Sequence, residues 1–228
     1  VMPFKIKNNT VLKNITKHDS ISFDFIITEK TSYAENFKKL GTSFLKFEKD
    51  EFWEEDEYQQ KEIGQKLSEV NFIDAKGNFT SLNQLRDNYI FISFIFTRCP
   101  VPNMCPAVVI KNGVLARKFK ESSKLKFIMV SFDYIYDTPA ILDSYYGDIL
   151  KDYPNWMVWS SVKNISDLYT LTSEVGSSYW GIEENNIGHN LRSVLIGPDR
   201  KLLKVWEGDE WLAGEVGEEL NNYIKFMK

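Results

Sequence analysis

The chain has 228 residues, 43% of them hydrophobic and 14% aromatic, enough for one large domain or a domain with a smaller attachment. Its formal charge of −4, with no basic stripe, argues against a nucleic-acid partner. No apolar run approaches the roughly 20 residues that cross a bilayer and no signal-peptide pattern is present; the start at Val1 rather than Met predicts a processed or trimmed fragment whose leader or anchor is missing.

Residues 1–45 read as a small β segment. Met2-Pro3-Phe4-Lys5-Ile6 alternates as a strand, and Ser20 to Ile27 alternates more clearly. Asn8-Asn9-Thr10 and His18-Asp19 are the turns between them, and His18 is expected to be a solvated loop residue. Two or three short strands cannot build a core alone, so this is an incomplete domain or a flap. From 46 to 66 the composition turns acidic: Glu48, Asp50, Glu51, Glu54, Glu55, Asp56, Glu57 and Glu62 outnumber Lys46, Lys49, Lys61 and Lys66. Such a run reads as a solvated linker.

The main domain is expected over residues 67–228. Val70 to Thr80 forms a hairpin turning at Asp74 to Asn78, and Ser81 caps a short helix through Leu85. Tyr89 to Phe96 is short, aromatic and β-branched, which predicts a buried central strand. A helix follows from Pro106, with Val108, Val109, Val114, Leu115 and Phe119 on its apolar side, since proline suits the first helical position. Lys126 to Phe132 is a second buried strand. Asp137-Thr138-Pro139 opens a helix carrying Ile141, Leu142 and Tyr145, capped by Asp137 or Thr138. Met157 to Trp159 is a third strand and Ile165 to Ser173 a further helix. Asn190 to Ile196 and Lys201 to Trp206 close the sheet around the turn Gly197-Pro198-Asp199-Arg200, and Val216 to Met227 is the last helix. This order predicts an α/β fold, a mixed sheet flanked by helices on both faces.

The chemistry concentrates between that first buried strand and its helix. Cys99 and Cys105, the only two cysteines, frame Pro100-Val101-Pro102-Asn103-Met104. Six positions apart, they cannot share a helical face, so Cys99 belongs to the loop that leads into the helix. A helix N-terminus lowers the pKa of a nearby thiol. Two such sulfurs close a disulfide or grip one soft metal ion; the bland alternative is a pair of inert buried cysteines or a plain stabilising disulfide. His189, in Gly188-His189-Asn190 ahead of the penultimate strand, is the other chemical residue. Brought beside the thiolates it completes a Cys2His set suited to copper, with zinc as competitor. Otherwise it is a loop histidine with a satisfied hydrogen bond.

Three stretches in this order resemble the Sco/SenC family of thioredoxin-like copper proteins: Phe94 to Pro100 with Cys105-Pro106, Val130-Ser131-Phe132-Asp133 with Asp137-Thr138-Pro139, and Gly188-His189-Asn190 leading into Leu195 to Asp199. The resemblance implies a thioredoxin-like fold over about residues 67–228. It also implies a copper site of Cys99, Cys105 and His189 that takes Cu(I) or Cu(II), and delivery of copper to, or thiol maintenance of, a cytochrome oxidase copper site. The family is typically tethered to a membrane with the domain in the periplasm or otherwise outside the cytoplasm. One departure is plain: the usual family motif has three residues between its cysteines, and this chain has five. Met104 in that spacer is expected to pack rather than to ligate. The N-terminal segment is similar to the later strands of a CusF-like copper-binding barrel, which makes Met2 a candidate Cu(I) ligand. Two functions therefore compete: a copper carrier using Cys99, Cys105 and His189, and a thiol–disulfide oxidoreductase using Cys99 and Cys105 as a metal-free redox pair. A third possibility is a domain that only binds a partner.

Overall fold

The computed structural model describes residues 5–6, 13–16, 19–27, 32–42, 60–182 and 187–226. The chain divides into two compact units, Val1–Glu57 and Tyr58–Lys228.

In the first unit β1 (Lys5–Ile6), β2 (Asp19–Ile27) and β3 (Ser32–Thr42) form a sheet in the order β1-β3-β2. β2 lies where its alternation predicts, but β3 has no clean period-2 pattern and was not legible. It exists by pairing: β2 and β3 run antiparallel from Asp19↔Thr42 to Ile27↔Ser32, with the register slipping between Ser22 and Asp24. Opposite the slip Asn36 takes φ 57° and donates Nδ2 to Asp24 Oδ2 at 2.8 Å, a conformation asparagine tolerates at a bulge. Met2 and His18 lie outside the described residues.

The second unit is a seven-stranded mixed sheet in the order β12-β11-β6-β7-β8-β4-β5. Its centre is β6 (Tyr89–Ile95), β7 (Leu125–Ser131) and β8 (Trp156–Ser160), all parallel. β4 (Asn71–Asp74) and β5 (Phe79–Ser81) form the predicted hairpin on one edge. β11 (Arg192–Ile196) and β12 (Leu202–Glu207) run antiparallel on the other. All seven residues of β6 are buried, so both of its side-chain rows are covered, as a parallel strand requires. Phe91 packs on Phe127, Trp206 and Trp211 with ring centres 5.7, 5.3 and 6.0 Å away.

The helices are α1 (Cys105–Lys118), α2 (Pro139–Leu150), α3 (Ile165–Val175) and α4 (Ala213–Phe226). Thr138 caps α2 by accepting from Ile141 N at 3.4 Å, with Pro139 in the first turn. Several packing expectations are corrected. Val114 is 39% exposed, and Asn112 is the buried polar member of α1's inner face. Tyr145 is 53% exposed, while the neighbouring Tyr146 packs against the core. Asn112 donates from Nδ2 to Ser93 Oγ and Val108 O, both at 2.9 Å, which satisfies the nitrogen side of its buried amide. The second unit also reaches further back than Leu67. Lys61 N donates to Glu174 O at 2.7 Å, Gly64 N to Leu202 O at 2.7 Å, and Leu202 N to Gln65 O at 2.9 Å. Backbone pairing is indifferent to side-chain charge, so the acidic composition gave no sign of it.

Candidate metal centre

The cysteine loop starts where β6 ends and is held from below by two buried carboxylates. Thr97 donates its N–H to Asp137 Oδ2 at 2.9 Å and its hydroxyl to Asp137 Oδ1, while Ser131 Oγ donates to Oδ2 at 2.5 Å. Burial pushes the Asp137 carboxyl above its ordinary pKa. Arg98 donates from Nε and Nη2 to Asp133 Oδ2 at 3.0 and 2.7 Å, with its guanidinium 4.5 Å from the centre of the Tyr136 ring. Thr97 and Arg98 are thus immobilised directly before Cys99.

The five-residue spacer folds rather than sprawls. Val101 is buried, and Met104 N donates to Val101 O at 3.0 Å to close a turn. Pro100, Pro102 and Asn103 stay exposed and Met104 is half-buried. α1 begins at Cys105, one residue earlier than expected, with Pro106 still in its first turn. Cys99 remains in the loop, half-buried, and Cys105 is buried at 2% exposure; both are free thiols.

His189 arrives from a different direction. It lies in β10 (Gly188–His189), which pairs antiparallel with β9 (Tyr179–Trp180) in a two-stranded ribbon invisible to periodicity. Trp180 lies so tightly on Gly188 that a Cβ there would stand 2.5 Å from Trp180 Cζ2. Asn190 pins the ribbon: its Oδ1 accepts from Ser178 N and its Nδ2 donates to Gly176 O, both at 3.0 Å. The Asn190 carbonyl lies 2.8 Å from His189 Nδ1, which assigns the proton to Nδ1 and leaves Nε2 to face the sulfurs. No sequence signal marked Asn190 for this task, because its partners lie 12 and 14 positions upstream.

The structure brings the predicted trio together. Cys105 Sγ is 3.6 Å from His189 Nε2, and the ligand atoms of Cys99, Cys105 and His189 all lie within 4.8 Å of one another. Among the described residues this is the one cluster of His, Cys, Asp or Glu groups arranged for a metal ion. Atoms bound to one ion at about 2.0–2.3 Å stand roughly 3.3–4.6 Å apart, so the trio fits a single soft or borderline ion with little movement. His189, 2% exposed, lies against Phe132 at 4.8 Å and edge-on to Phe96 at 5.5 Å, an apolar wall that excludes water from one side.

The two sulfurs are not equivalent. A hydrogen bond from Cys105, with backbone bonds at Val101 and Cys105, outweighs burial and brings Cys99 down to a pKa of about 4. Burial, then the proton shared with Cys99 and that thiolate's charge, push Cys105 well above the usual thiol range. The helix N-terminus was expected to activate a nearby thiol; the residue in the helix is the protonated one, because its burial wins over the dipole.

A mixed sheet with a parallel centre, a cysteine pair in its first strand-to-helix loop and an added imidazole defines a thioredoxin-like protein with a Cys2His donor set. The SCO1/SenC family profile matches residues 58–225, and the chain belongs to that family. It is 26% identical over 151 residues to a SCO1 protein homolog of Bacillus subtilis (strain 168), covering 65% of this chain and 77% of the relative. A SCO1/SenC family lipoprotein from Bacillus anthracis superposes with a TM-score of 0.63 at 19% identity, over 73% of this chain and 99% of that one. Arabidopsis thaliana ScoI, solved with copper bound, gives 0.58 at 20% identity, over 71% and 99%. These two likenesses establish the shared fold. Among the described residues no helix is long and apolar enough to cross a membrane.

Proposed function

We propose that the protein carries copper, held by the Cys99 and Cys105 sulfurs and His189 Nε2, and passes it to the copper site of a respiratory oxidase. The observation that supports this most is the convergence of the three donor atoms within 4.8 Å, with His189 arriving from a ribbon 84 positions beyond Cys105. Two thiolates and a neutral imidazole favour copper over harder ions, with zinc as the competitor. The bound state of the Arabidopsis relative supports copper as the cargo, and the lipoprotein character of the Bacillus anthracis relative supports a membrane-tethered, extracytoplasmic location.

The test uses anaerobically reduced protein, loaded with Cu(I) and separately with Cu(II). One copper per wild-type chain is expected, with His189→Ala losing it or weakening it by at least about tenfold. Reduced wild type that retains no copper refutes the carrier reading.

A second reading draws on the unequal sulfurs. Half-exposed Cys99, ionised above about pH 4, is the natural nucleophile and buried Cys105 the resolving thiol. Cys99 Sγ attacks one sulfur of a partner disulfide, forming a mixed disulfide and expelling the other sulfur as a thiolate, which takes the Cys105 proton. Cys105 Sγ then attacks Cys99 Sγ, closing the internal disulfide and releasing the second partner thiolate, so two electrons pass to the partner. This activity should survive His189→Ala, which separates the two readings.

A further inference from the structure

The turn after β12 reaches the cysteine spacer, α1 and the backbone just beyond His189. Gly208, at φ 72°, donates its N–H at 2.9 Å to the carbonyl of Leu191, two residues beyond His189. Asp209 Oδ2 accepts from Asn103 Nδ2 at 3.2 Å, and Asn103 stands inside the cysteine spacer, 106 positions away. The backbone carbonyl of Asp209 takes the Lys111 ammonium from α1, which also lies 4.7 Å from the centre of the Trp211 ring. Buried Trp211 packs on Phe91 of the central strand, so the turn is anchored in the core.

We propose that this turn is a bracket, and that Asp209 is a positioning residue which holds the cysteine spacer at a set distance from His189. The proposal rests on the metal-binding reading above and adds what compensates for the wide spacer. Five residues between two donors carry conformational freedom that closure on an ion must remove. A charge-assisted hydrogen bond at the fourth spacer residue removes part of it before the ion arrives, and preorganisation of this kind appears as affinity.

Asp209→Ala removes the Oδ2 acceptor while leaving the carbonyl that holds Lys111, and Asp209→Asn keeps an acceptor. Reduced wild type, Asp209→Ala, Asn103→Ala, the double alanine variant and Asp209→Asn are titrated with Cu(I) in competition with bicinchoninate. The metal-free proteins are equilibrated separately with glutathione and its disulfide, which takes up the two electrons and the single proton of the Cys99–Cys105 pair, a second proton coming from solvent. Each alanine variant is expected to bind Cu(I) about 3- to 10-fold more weakly, the worth of one hydrogen bond. The double variant should lose no more than the worse single one. Asp209→Asn should return to within about twofold of wild type, and both alanine variants should shift the dithiol equilibrium toward the reduced pair. Alanine variants matching wild type in both measurements overturn the proposal, as does a loss that Asp209→Asn fails to rescue. Wild type that binds no Cu(I) refutes the metal reading instead. The bracket is then judged by the glutathione equilibrium alone, where a shift sustains it and no shift overturns it.

Discussion

At the scale of single residues, the centre is governed by how one proton is shared between two sulfurs. With its pKa near 4, Cys99 is a thiolate throughout the physiological range, while Cys105 stays protonated. By linkage, a thiol whose pKa is depressed on folding adds stability that is fully present above its unfolded pKa and is lost as pH falls through the folded value. For Cys99 the window therefore runs from 9.0 down to about 4. Alkylation by iodoacetamide, followed by peptide mass spectrometry, is expected to label Cys99 first. Its rate should be flat from about pH 5.5 to 8 and fall toward pH 4, because only the thiolate reacts. Labelling of Cys105 ahead of Cys99 contradicts the assignment. Of the two sulfurs only Cys105 gives up a proton when metal binds, so affinity should climb about tenfold per pH unit above neutral.

At the scale of elements, the end of α3 controls how firmly His189 is presented. Gly176 sits at φ 70°, and Ser177 N reaches back to Thr172 O at 2.8 Å, the left-handed cap that glycine allows. A Cβ at this position would stand 2.7 Å from Gln60 Cδ and collide with Arg192 Nη1. Both neighbours are the ends of long side chains that can swing aside, so Gly176→Ala is expected to cost about 1–2 kcal/mol, chiefly from the left-handed backbone. That is a fall of about 2–8 °C in the melting temperature followed by circular dichroism. A midpoint within about a degree of wild type would show that the cap is not strained by a side chain. Because Asn190 Nδ2 holds on to Gly176 O, the same substitution should also weaken metal retention. The main strands and helices of this unit are marked by apolar runs and by their proline and turn residues. The β9–β10 ribbon is not, since two residues per strand are too few to carry a period.

At the scale of the whole molecule, Cys99, Cys105 and His189 all belong to the Tyr58–Lys228 unit, whose core is centred on β6. Segment 60–66 is tied to β12 and α3 by backbone hydrogen bonds, and Glu174 accepts from Ser68 N and Oγ at 2.8 and 2.6 Å. A protein comprising residues 58–228 is expected to melt in one cooperative transition and to keep the Cys99 alkylation profile of the full chain. One trimmed to start at residue 67 loses the pairing at the edge of β12 and should melt several degrees lower. Equal midpoints for the two lengths would refute this account of the boundary.

The sequence by itself determined the order and type of the main elements, the buried central strand and the placing of both cysteines between that strand and a helix. Those features are local: they follow from hydrophobic period, proline position and turn chemistry within about ten residues. Its resemblance to a family also pointed to His189. Only the tertiary structure decided that Cys99, Cys105 and His189 meet, that the wider spacer folds around Val101 without parting the sulfurs, and which sulfur holds the proton. The first depends on contacts between segments tens of residues apart and the other two on burial, which no local pattern encodes.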